Sequence, residues 1–289
     1  MAEYLSPGVY VEEFDSGPTP MQGVGTSTGG FIGVAEKGPS IGAPVFVTGP
    51  ADFTRKFGGY LHGTEFGDYR FLAHAVNHFF ANGGSKAFVM RVVPPDATIA
   101  KAKCLEGKEG TLEISARNEG SWGNSVTVSF EASSSSKTQI LEDLGEGKYR
   151  LKSVAGFDVG DVVELEGSGK PQFSVVTNVT GNNVTFSKPF EGEVVDAGLL
   201  PKIVVKTCEM NVVVEEGETV EKYADVSFNV LSPLFIEKVM AKSEIVRLTA
   251  KPVEGAVAPI DVVKQVFGGK GSEVKVTLSG GANGTAAAL

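Results

Sequence analysis

Cysteine is nearly absent from this 289-residue chain. Cys104 and Cys208 are its only two and stand far apart, so neither a disulfide framework nor a CxxC metal site can be built from them. Both read as buried or semi-buried free thiols. Histidine is as scarce, with His62, His74 and His78 the only three, and tryptophan is confined to Trp122. No apolar run approaches the roughly 18 residues that a membrane span needs. Basic charge is in deficit: 26 Lys and Arg face 35 Asp and Glu, for a formal net charge of -9. An acidic chain with a pI near 5.0 is a poor binder of phosphate backbones, so nucleic acid is not an expected partner. The opening residues Met1 to Gly8 lack the basic and apolar regions of a secretory signal, so synthesis and folding in a cytoplasm are expected.

What is present is ordinary globular material, 42% hydrophobic and 21% charged, long enough for two domains. Its 37 glycines and 14 prolines cut it into short elements. Ser6 to Glu13 alternates with the two-residue period of a strand and is followed by Asp15-Ser-Gly-Pro-Thr-Pro20, which can continue neither a strand nor a long helix. A single tethered strand reads either as an edge strand of its own domain or as an arm added to a neighbour's sheet.

From Gly29 the pattern is mixed α/β. Phe31–Ala35 and Val45–Val47 suit strands, the first buried on both faces, and Phe71, Leu72, Ala75, Val76, Phe79 and Phe80 fall at helical spacing before the C-cap signal Gly83-Gly84. Lys86–Val93 then reads as a buried strand. From about Cys104 to Val214 helical signals vanish. Within that β region the runs Tyr149–Leu151, Val162–Leu165, Phe173–Val176 and Asn183–Phe186 recur at roughly 11-residue spacing, the mark of a small inserted barrel or sandwich. Helical periodicity returns at Pro233–Ala241, with Pro233 placed for a first turn, and Glu244–Leu248 reads as a further strand. The expected organisation is therefore an arm and linker over 1–22, an α/β core over 23–103, a β domain over 104–214 with a barrel at about 136–202, and a return to the α/β core over 215–289.

No catalytic, metal or cofactor site is expected from the motifs of the sequence. Gly23-Val-Gly25 precedes a strand instead of following one, and Gly33–Gly38 is followed by Pro39-Ser40 where a phosphate loop carries Lys and Ser or Thr. His74 and His78 share a helix face, but Ala75 stands where a metalloprotease places its base, so partly buried structural histidines are expected. No GxSxG elbow occurs. Glu12-Glu13, Glu215-Glu216 and Glu218 read as solvated faces. The sequons at Asn178, Asn183 and Asn283 read as turn and strand residues.

The ordered runs Pro7–Glu13, Gly30–Pro39, Phe53–Gly59 and Phe79–Val92 resemble the opening motifs of contractile tail sheath proteins of phages and related injection systems. Asn118-Glu-Gly-Ser-Trp-Gly-Asn124 before the strand Val126–Phe130 is similar to the opening of their β domain, and Glu221–Phe228 through Ser243 to their return to an α/β domain. The resemblance spans nearly the whole chain. It implies a non-catalytic, discontinuous α/β domain of subtilisin-like topology, an inserted all-β region and an extended N-terminal arm. It also implies a subunit that polymerises into a six-fold helical array and contracts, with no cofactor. The implied partners are further copies of itself, the inner tail tube protein, and baseplate and tail-terminator proteins, without membrane insertion. The inter-subunit arm strand would be Gly8, Val9, Tyr10, Val11, Glu12 and Glu13. Sheath proteins usually continue past the equivalent of Leu278–Gly284 into further helices, a tube-facing element and a second arm, which this chain, ending at Leu289, would lack or replace. A carbohydrate-binding or adhesion module, suggested by the Thr- and Asn-rich turns of the β insert, is the alternative.

Overall fold

The computed structural model describes residues 27–107, 110–167, 170–191, 203–252, 260–267 and 273–285. The expected arm strand Gly8–Glu13, with the rest of 1–22, lies outside the described residues.

A small α/β layer comes first. β1 (Thr28–Gly33), β2 (Val45–Val47) and β3 (Lys86–Arg91) form a sheet in the order β1-β3-β2, with β1 parallel to β3 and β2 antiparallel to it. Between β2 and β3 lie α1 (Pro50–Phe57), a single turn α2 (Gly63–Phe66), a short 3-10 turn (Gly67–Tyr69) and α3 (Leu72–Ala81). Phe53, Phe57, Leu72, Ala73 and Val76 pack against Val47, Ala87 and Val89 as one core, and Phe31 meets Phe79 edge-on at 5.3 Å. Gly83, at φ 91°, ends α3 in the left-handed conformation that glycine favours, as the sequence anticipates. The expectation of a first strand buried on both faces is corrected. β1 alternates exposed and half-buried residues, Ile32 is 76% exposed, and Phe46 meets Phe88 at a tilt, 5.5 Å apart, on the same open side. A continuous apolar run is compatible with one covered face or two; here the helices cover one.

α1 is set electrostatically. Pro50 stands where the helix needs no N–H, Asp52 lies in the first turn, and Arg55 and Lys56 lie in the last. Burial tends to raise the Asp52 carboxyl. Hydrogen bonds from Lys56 Nζ (2.9 Å), the Thr48 amide (3.1 Å) and Arg55 Nη2 (3.0 Å) overrule that tendency and hold it at about 2. Because the folded pKa is depressed, this stability is present above the ordinary carboxylate value and is lost as pH falls towards about 2. Asp52→Asn is expected to cost about 1–2 kcal/mol near neutral pH, discounted for partial exposure. Urea unfolding near pH 6 and near pH 3 checks it: the penalty should shrink at the lower pH, and an equal penalty at both would show that the charge contributes nothing.

The remaining strands build a sandwich and a barrel. β4 (Lys101–Gly107) and β5 (Gly110–Ala116) pair with β15 (Val246–Pro252) in the order β15-β5-β4. β6 (Thr127–Ser133), β13 (Glu209–Glu216), β14 (Thr219–Ser227) and β16 (Val274–Thr277) form β14-β13-β6-β16. Leu112, Ile114, Val128, Phe130, Met210, Val212 and Leu248 fill the space between these sheets with α4 (Ile236–Met240) and α5 (Ile260–Phe267). Pro233 lies ahead of the Phe235 N-cap of α4 and is not in its first turn, a correction of register. The structure is thus a mixed α/β, β-rich chain. No strand described after residue 215 joins the β1-β3-β2 sheet, since β15 pairs with β5.

β7 (Lys137–Asp143), β8 (Lys148–Leu151), β9 (Val162–Glu166), β10 (Gln172–Thr180), β11 (Asn183–Phe186) and β12 (Val204–Thr207) close into a barrel in the order β10-β11-β8-β7-β12-β9. Register shifts at Val176/Asn178 and Ile140/Glu142 supply the bends that closure requires. Phe173 of β10 meets Phe267 of α5 at 6.2 Å, so the barrel leans on the sandwich core. At its root the Glu209 carboxylate accepts from the Ser135 amide (2.8 Å), Ser135 Oγ (3.0 Å) and Thr207 Oγ1 (2.9 Å), tying the entering and leaving segments together.

Candidate functional site at the subdomain joint

The densest polar construction joins the α/β layer to the sandwich. Arg91, last residue of β3, is 3% exposed. Its guanidinium donates to four backbone carbonyls: Nε to Ala35 (3.0 Å), Nη1 to Gly38 (3.1 Å) and Glu119 (3.0 Å), and Nη2 to Glu36 (3.1 Å). Burial pulls it down to about 10, against the opposing charges of Glu119 and Glu36, so it stays a cation at neutral pH. The loop after β1 therefore gathers carbonyl oxygens around a cation, the opposite polarity to a phosphate cradle. The same Glu119 carbonyl accepts Trp122 Nε1 at 3.1 Å. Gly38, at φ 103°, tolerates no side chain, because a Cβ there would lie 2.7 Å from the Phe57 ring.

A C-terminal strap closes the joint. Thr98 and Ala282 exchange backbone hydrogen bonds (3.0 and 3.1 Å), as do Lys101 and Ser279 (2.8 and 3.1 Å). Asn124 and Gly281 bond reciprocally, side chain to backbone, at 2.8 Å each. Asn283 accepts the Ser121 amide (2.9 Å), donates to Ser121 Oγ (2.8 Å) and also reaches Glu65. The runs Asn118–Asn124 and Leu278–Gly284, more than 150 residues apart, are thus two halves of one contact.

Beside the joint lies a cleft of about 400 Å³ between the α/β layer and the sandwich, walled by Pro39, Val45, Trp122 and Ile245. Most of its charges are mutually committed. Lys37 pairs with Glu216 at 2.7 Å and sits 5.8 Å over the Trp122 ring, Lys56 pairs with Asp52 at 2.9 Å, and Arg55 pairs with Glu244. Glu221 accepts from Tyr223 Oη (2.9 Å) and from the Glu244 amide (2.9 Å). Burial, then the Glu221 bond, pushes the Tyr223 hydroxyl up to about 12. Among the described residues, two of the cleft's cations have no carboxylate partner. Arg117 spends Nε on the Ser243 carbonyl (2.8 Å) and Nη2 on that of Ala241 (2.6 Å), and exposed Lys242 has no side-chain partner among the described residues.

Several expectations are refined here. His74 and His78 are exposed, not partly buried; the His74 ring lies tilted against Tyr60 at 4.5 Å, and His62 bonds Thr64 at 2.7 Å. α3 spends its apolar face on leucine, alanine and valine, which leaves the imidazoles to solvent. Both thiols are free and buried, and burial raises Cys104 to about 12. Glu216 is not a solvated carboxylate; its side chain is 14% exposed and holds Lys37. The aromatic residues that a glycan platform would use are not on the barrel surface: Tyr149, Phe157, Phe186 and Phe190 lie inside the barrel and Phe173 packs on the sandwich core. Among the described residues, no group of three or more His, Cys, Asp or Glu could hold a metal ion, and no helix is long and apolar enough to cross a membrane. Arg91 matches no catalytic or binding motif; its one signal in the sequence is a lone cation inside the otherwise apolar run Phe-Val-Met-Arg-Val-Val.

The arrangement is that of a structural joint, most of its charges committed to backbone and to one another. No protein-family model and no curated protein matches the chain. Among solved structures it is similar to the sheath tail protein of Listeria innocua, with 13% identity and a TM-score of 0.39 over 88% of this chain and 34% of that one. It is also similar to the sheath tail protein of Desulfitobacterium hafniense, with 15% identity and a TM-score of 0.24 over 64% of this chain and 39% of that one. The chain spans little more than a third of the length of either.

Proposed function

We propose that this chain is a structural subunit of the contractile sheath around the inner tube of a phage tail or phage-like injection particle. The reading is carried by the ordered sheath-like motifs of the sequence. Their placement supports it, because three of them, at Gly30–Pro39, Phe79–Val92 and Asn118–Asn124, supply the partners of the Arg91 joint. The open apolar side of the β1-β3-β2 sheet also suits a subunit that is covered in an assembly. In this reading the small sheet opens a larger α/β domain of subtilisin-like topology, and the strand Gly8–Glu13 pairs onto a neighbouring copy. Shared strands keep a six-fold helical array connected while subunits slide and rotate, and a contracted array that buries more surface drives the tube through the target envelope. Tube, baseplate and terminator proteins are the partners, and assembly takes place in the bacterial host. Negative-stain electron microscopy tests it: the purified chain with its tube should give hollow cylinders. Deletion of residues 1–16 should abolish them while the circular dichroism of the monomer stays unchanged, and cylinders from the deleted chain would refute the arm.

A further inference from the structure

We propose that the β7–β8 hairpin tip of the barrel in one copy seats in the joint cleft of a second copy. The inference rests on the self-assembly reading above and gives the barrel a role within it. The tip runs Leu141-Glu-Asp-Leu-Gly-Glu-Gly147 and presents Leu141 and Leu144 at 48% and 40% exposure, unusual for leucines on a small barrel whose interior is already filled. Carboxylates stand beside them. Glu142 is paired with Arg150 and Asp143 accepts the Gly145 amide at 2.8 Å, whereas Glu146, held at φ 53°, is exposed and has no partner among the described residues. The cleft offers the complement: an apolar wall of Val45, Trp122 and Ile245, with Lys242 and Arg117 Nη1 lacking a partner among the described residues.

Local complementarity, not overall charge, points to a second copy as the occupant: the chain's own tip carries the exposed leucines and the carboxylate that its own cleft matches. Copies carrying a net charge of -9 repel one another, so attraction between them needs a local positive site facing a local negative one. Apolar contact supplies the area, and the Glu146–Lys242 pairing sets the register. No barrel residue lines the cleft, so tip and cleft are separate surfaces and the contact is heterologous: a joined pair still offers one free tip on one copy and one free cleft on the other, and addition continues.

Sedimentation velocity of the full chain at low salt, with Trp122 fluorescence as the cleft reporter, tests the contact. Glu146→Lys and Lys242→Glu alter exposed side chains that have no partner among the described residues, so both variants should fold. Each alone should weaken association at least about tenfold, as like charges then meet across the contact. An equimolar mixture should recover it, because each reversed group finds a reversed partner. Association of either single variant at wild-type strength, a mixture that stays dissociated, or a wild-type chain that does not associate overturns the proposal. Electron microscopy separates it from the sheath reading: cylinders from both variants would leave the sheath standing and remove this contact, whereas tip-to-cleft association without cylinders would do the reverse.

Discussion

Arg91→Met is expected to lower the unfolding free energy by about 4 kcal/mol, since removing a buried charged donor leaves its acceptors unsatisfied. Methionine fills much of the space but donates nothing, so the carbonyls of Ala35, Glu36 and Gly38 each lose the side-chain donor they have in a buried joint. The Glu119 carbonyl suffers less because Trp122 also donates to it. For a chain of this size the melting temperature should fall by roughly 10 °C. Arg91→Lys keeps the charge and loses the fork. One ammonium cannot reach carbonyls approached from both edges of a guanidinium, so an intermediate loss of about 2 kcal/mol is expected. Urea midpoints at unchanged slope measure both. A methionine variant within about 1 kcal/mol of wild type would mean that water replaces the guanidinium and that the joint is not dry.

Gly281→Ala is expected to be the second large loss, about 3 kcal/mol, from overpacking against backbone. A Cβ there would lie 2.4 Å from the Gly120 carbonyl oxygen and 3.0 Å from the Ala100 side chain, and a backbone oxygen cannot rotate away. The strap would have to lift, breaking the reciprocal Asn124 bonds and the Thr98–Ala282 pair. Gly280 is the control. Its φ of 79° disfavours a side chain, but nothing lies within 4 Å of a Cβ, so Gly280→Ala should cost only about 1 kcal/mol. Hydrogen exchange at the Thr98, Lys101 and Ala282 amides should accelerate in the Gly281 variant and change little in the control. The reverse order would mean that backbone strain, not steric exclusion, governs this segment.

The elements legible from sequence are those governed by local periodicity. Of the evenly spaced barrel runs, Tyr149–Leu151 and Asn183–Phe186 alternate buried and outward residues, whereas Val162–Leu165 and Phe173–Val176 bury neighbouring residues because Val162 and Val175 face the sandwich core while Val163 and Val176 face the barrel interior. α3 follows from its helical apolar spacing and its glycine stop. What periodicity misses is which side of an element another element covers: Phe31–Ala35 reads alike with one face buried or two, and the exposure of Ile32 is settled by where α3 packs. The joint was half legible. Asn118–Asn124 and Leu278–Gly284 stand out through their Gly, Asn and Ser content, the composition that close backbone approach needs. That they touch each other is a property of the sandwich that brings Thr98 and Ala282 together, and nothing local encodes it.

That meeting of Thr98 with Ala282 and of Lys101 with Ser279 has a mechanical consequence. The chain enters and leaves the sandwich and its barrel at a single point, so tension applied to the flanking segments passes first across this short antiparallel bridge. Asp96, which accepts the Thr285 amide, and Asn283 guard its open end. Until those contacts unzip, everything between residues 101 and 279 is shunted out of the load path. The barrel therefore rides on a loaded chain without being stretched by it.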